Sequence, residues 1–74
     1  MPALPIVSGR DAVRAFETLG WQIARRRGSH VILVKPGSYV TLSVPDHREL
    51  ARGTLRSLIR NAGISVDAFV MALA

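Results

Sequence analysis

The sequence predicts an α+β fold, with one antiparallel three-stranded sheet covered by helices on a single face. Three observations lead there. Two segments carry apolar residues at helical spacing, Ala12, Phe16 and Leu19 in the first and Leu55, Leu58, Ile59 and Ala62 in the second. Three short stretches between them alternate or are rich in β-branched residues. Gly28-Ser29 and Pro36-Gly37-Ser38 separate those stretches as hairpin turns.

The first helix starts at Ser8. Ser8-Gly9-Arg10-Asp11 reads as a capping box, with an acidic side chain at the third helical position. Gly20 is its natural stop. The stretch 21–27 is the first strand, with Trp21, Ile23, Arg25 and Arg27 alternating with Gln22, Ala24 and Arg26. The stretch 30–35 is the second, and 39–44 the third. On that third strand Val40, Leu42 and Val44 share one face, and Tyr39, Thr41 and Ser43 the other. Pro45 is expected to end the sheet. A charged loop, 46–53, leads to a second helix capped by Thr54 and stopped by Gly63. Ser65 caps a short last helix that turns Phe69, Val70 and Leu73 inward.

With 74 residues the chain is expected to be one domain spanning 1–74. A domain of this size has a thin core. It contains no cysteine, so neither disulfides nor thiolate metal sites reinforce it. No apolar run reaches the roughly 18 residues of a membrane span, and the opening 1–7 is short for a signal peptide. A cytoplasmic protein without a membrane partner is expected.

The formal net charge is +5, from 10 Lys+Arg against 5 Asp+Glu, and all the basic residues but Lys35 are arginine. Guanidinium forks match phosphate bidentately, so RNA is a natural partner, although a plainly solvated basic surface has the same composition. Arg52, Arg56 and Arg60 recur every four residues and form one stripe, with Arg52 just before the helix start, where backbone N–H groups also favour phosphate. Trp21 and Tyr39 are the residues able to stack on bases; Trp21 reads better as core and Tyr39 as exposed.

The two histidines and five scattered carboxylates lack spacing that would gather a metal site, and there is no Gly-rich phosphate loop, so neither metal nor small-molecule cofactor is expected. Gly28-Ser29-His30 is the sharpest feature. A histidine presented after a tight turn and directly behind Arg25-Arg26-Arg27 could take a proton from an RNA 2′-hydroxyl, with the arginines and Ser29 holding the phosphate. The residues alone leave this open against a surface histidine bonded to backbone. His47, amid Asp46, Arg48 and Glu49, reads as a capping or salt-linked loop residue.

Gly28-Ser29-His30 with the apolar strand after it, then Val44-Pro45-Asp46-His47, then the run Gly53-Thr54-Leu55-Arg56-Ser57 through Ser65, resembles the HicA (YcfA-like) toxin family. The likeness extends from about Ser8 to Phe69, and the Gly-Thr-Leu-Arg-Ser run is its most specific part. The resemblance implies a double-stranded-RNA-binding-like fold and a toxin of a toxin–antitoxin system. It also implies an endoribonuclease that cleaves mRNA and is inhibited by a HicB-type antitoxin. The family's catalytic histidine then corresponds to His30. Two alternatives stand beside this reading: an RNA-binding module that does not cut, and a protein-interaction subunit. The latter would use the open sheet face, where alternation puts Ile32 and Val34 beside His30.

Overall fold

The computed structural model describes residues 4–74. Helix α1 (Gly9–Thr18) is followed by strands β1 (Gln22–Arg27), β2 (His30–Val34) and β3 (Leu42–Pro45), then by helices α2 (Arg52–Asn61) and α3 (Val66–Ala72). The strands form one antiparallel sheet in the order β1-β2-β3, so β2 is central and both neighbours are edges. This is the α+β, double-stranded-RNA-binding-like layout that the sequence predicts.

Capping explains two of the helix starts. Ser8 is extended, and its hydroxyl accepts from the Asp11 backbone N–H at 3.0 Å. Ser65 does the same for Ala68, also at 3.0 Å. Each bond satisfies a donor that the first turn leaves unpaired. Helix α2 departs from expectation. Its N-cap is Ala51, no side chain caps it, and Thr54 lies inside the first turn. The cause is upstream: Leu50 is buried and its N–H donates to the Val7 carbonyl at 2.8 Å. That anchor fixes where the chain turns, so the helix begins at Arg52 without a polar cap.

The core lies between the sheet and the helices. Val31 and Leu33 of β2 and Leu42 and Val44 of β3 point into it, as their shared burial and their pairing show. Ala12, Val13 and Phe16 meet them from α1, and Leu55, Leu58 and Ile59 from α2. Phe69 of α3 is fully buried against Phe16, with ring centroids 5.2 Å apart and planes tilted by 51°. Val70 and Leu73 are only half-buried. Trp21 is core, as its place after a helix stop suggests, and Tyr39 is wholly exposed. Leu4 and Val7 also join the core, a role the chain's opening residues do not advertise.

The third strand is shorter and later than expected. Residues 39–41 lie outside it, because the turn after β2 is closed by Ser38 N–H donating to the Lys35 carbonyl and by the Ser38 hydroxyl accepting from Val40 N–H. Val40 is exposed accordingly. Pro45, rather than ending the sheet from outside, pairs with His30. It is tolerated because β3 is an edge strand.

One irregularity controls the site. Ile23 pairs with Leu33, but Arg25 pairs with Ile32, so Ala24 is an extra residue in β1. A bulge of this kind breaks strict alternation.

Candidate functional site

Paired residues share a sheet face. Since Val31 and Leu33 face the helices, His30 and Ile32 face away from them. Arg27 pairs with His30 and Arg25 with Ile32, which puts both arginines on the open face with the histidine. Arg26 pairs with Val31 and so lies on the helix side. The bulge also separates Ile23 from Arg25, which plain alternation would keep together.

His30 is exposed at the start of β2. Gly28 carries the turn before it at φ 57°, a left-handed conformation that glycine adopts without strain. The imidazole Nδ1 lies 2.9 Å from the Ser43 hydroxyl. Ser43 pairs with Ile32, not with His30, so the contact is diagonal across the strands. A ring fixed through Nδ1 leaves Nε2 free to face a ligand. Ser43 is the residue sequence reasoning missed: its place on the outer face of the third strand was legible, but its reach to His30 depends on the register.

The remaining residues divide by surroundings. The Arg26 guanidinium donates to the Asp46 carboxylate at 3.1 Å, the one ion pair among the described residues. Arg25, Arg27, Arg52 and Arg56 are exposed and have no carboxylate partner among the described residues. Arg60 donates to the Ser57 hydroxyl at 3.3 Å. Arg52, Arg56 and Arg60 form a strip along α2, as the spacing predicts, but Arg52 is the first helical residue rather than the one before it. Ser29 sits in the turn, where its carbonyl accepts from Asp46 N–H at 2.7 Å. His47 neither caps nor pairs through its ring among the described residues; its carbonyl accepts from Gly9 N–H at 2.8 Å. The loop after β3 is thus strapped to the turn before His30 on one side and to the start of α1 on the other.

The apolar open face expected from Ile32 and Val34 is not there. Ile32 is only 9% exposed and Val34 is half-buried. What the face offers instead is one imidazole, one hydroxyl and two guanidiniums. Such a set can withdraw a proton and neutralise an anion. Among the described residues no three His, Asp or Glu side chains gather as metal ligands, and no helix is long and apolar enough to cross a membrane.

The family model of the HicA toxin of bacterial toxin–antitoxin systems matches residues 9–64, which include all three strands, the Gly28-Ser29-His30 turn and all of α2. No curated protein matches the chain.

Proposed function

Because the chain belongs to the HicA toxin family of bacterial toxin–antitoxin systems, we propose that it acts as an endoribonuclease on mRNA, with His30 as general base and a HicB-type antitoxin as its inhibitor. The observation that carries the reading is the His30–Ser43 contact on a face shared with Arg25 and Arg27.

In this reading Nδ1–H donates to the Ser43 hydroxyl, which leaves the Nε2 lone pair as the base. Nε2 takes the proton of an RNA 2′-hydroxyl. The 2′-oxygen forms a bond to the adjacent phosphorus, the bond from phosphorus to the 5′-oxygen breaks, and that oxygen takes a proton from water. Charge builds on the non-bridging phosphate oxygens during the step, where Arg25 and Arg27 offset it. Arg52, Arg56 and Arg60 hold flanking phosphates along α2, with Ser29 in the turn before His30 and Arg26 on the helix side of β1 as outlying contacts. An antitoxin that covers the open face removes His30 from RNA.

The test is cleavage of an RNA pool by the purified chain and by His30→Ala. The variant retains RNA binding, because the arginines are intact, and loses cleavage by about 100- to 10,000-fold. A fully active His30→Ala chain overturns the mechanism and leaves a binding module.

A further inference from the structure

A groove of about 460 Å³ runs between β3 and α2, beside the residues discussed so far. Its volume lies in the range of small-molecule sites, about 300–1,000 Å³. Thr41 and Ser43 line one wall; Thr54, Ser57 and Asn61 line the other. Leu42 and Leu58 lie beneath it, buried in the core. Among the described residues no charged side chain lines it.

We infer that this groove is a subsite for one nucleotide of the RNA, taking its base and ribose while the phosphates follow Arg56 and Arg60. The inference rests on the reading that RNA is the substrate. Hydroxyl and amide side chains both donate and accept hydrogen bonds. They suit the edge of an unstacked base and the ribose hydroxyls. A phosphate inside the groove would meet no cation, so the charged part of the nucleotide belongs outside. There Arg60 stands at the rim, bonded to the lining residue Ser57. The opposite wall is the β3 edge, where Ser43 borders the groove while its hydroxyl turns to His30 on the outer face of the sheet. A nucleotide in the groove therefore lies at the β3 edge, with the cationic strip on one side and, round the edge strand, the face that carries His30 on the other. Strand addition from a protein partner fits less well. The β3 edge has four residues and ends in a proline, which has no N–H to offer a new strand.

The test is a titration of the isotopically labelled His30→Ala chain, followed by NMR, with the four nucleoside 5′-monophosphates, with inorganic phosphate and with a short single-stranded RNA. Phosphate is expected to move the signals of the exposed arginines, on β1 as well as α2, and to leave those of Thr54 and the Asn61 side-chain amide in place. At least one nucleotide is expected to move Thr54, Ser57 and the Asn61 side-chain amide as well. Asn61→Ala should weaken that nucleotide about tenfold, as expected for losing a bidentate base contact, and leave the phosphate titration unchanged. If RNA shifts Arg56 and Arg60 but the groove signals respond to no nucleotide, the subsite is overturned and the His30 mechanism stands. Groove signals that move only with an antitoxin overturn the subsite equally. Failure of the mechanism is read separately, as cleavage by unlabelled His30→Ala.

Discussion

The His30 imidazole and the Ser43 hydroxyl meet at 2.9 Å across the β2–β3 pairing, one diagonal step out of register. In the proposed mechanism this contact selects the tautomer with Nε2 free. Ser43→Ala should lower cleavage by up to about tenfold, the worth of one hydrogen bond, without changing RNA binding. Ser43→Thr keeps the hydroxyl and should retain most of the rate. Nitrogen chemical shifts of His30 report the tautomer directly. A wild-type ring with its proton on Nε2 would refute the assignment of Ser43.

The three consecutive arginines should behave differently. Arg26 is tied to Asp46 in an exposed pair, with side chains 60% and 35% accessible. Pairs of this kind are worth about 0–1 kcal/mol. Arg26→Gln should therefore change stability by no more than that in chemical denaturation, and should affect cleavage less than Arg25→Gln or Arg27→Gln. Equal losses from all three would mean that the sheet face does not sort them.

The strip on α2 is tested by salt. Replacing Arg56 and Arg60 with Gln should weaken RNA binding and flatten its dependence on salt. Each lost phosphate contact removes about 0.7–0.9 from the slope of log affinity against log salt. An unaltered slope would remove the strip from the RNA path.

Two glycines of similar appearance should differ in sign. A Cβ on Gly9 would overlap the Pro45 carbonyl, which packs on the start of α1. Gly9→Ala should destabilise by about 1–3 kcal/mol, the usual cost of overpacking. Gly53 has open space around it inside α2. Gly53→Ala should stabilise by up to about 1 kcal/mol. Thermal unfolding of both variants decides the matter.

These pairs show where sequence reading succeeds and where it stops. The helix and strand order was legible because apolar periodicity and the Ser8, Ser65 and Gly63 signals are local. The buried stripe Leu55, Leu58 and Ile59 and the buried Trp21 were legible for the same reason. The bulge at Ala24 was not: nothing in Ile23-Ala24-Arg25 marks an extra residue, yet it decides which arginines share a face with His30. The start of α2 differs from expectation because its anchor is tertiary, a bond from Leu50 to Val7. Alternation leaves Ile32 exposed, but it is covered on the outer face. His30 itself was marked by its turn and by resemblance, whereas Ser43 and the groove emerged only once β3 had a register.

The ends of the cleaved RNA test the central claim most directly. Attack by the 2′-oxygen, with His30 Nε2 as base, leaves a 2′,3′-cyclic phosphate on one fragment and a 5′-hydroxyl on the other. Mass spectrometry of fragments from a defined RNA should find those ends, and a single 2′-deoxy substitution at the cut site should abolish that cut. Fragments that carry a 3′-hydroxyl and a 5′-phosphate, or undiminished cutting at the deoxy position, would contradict the mechanism.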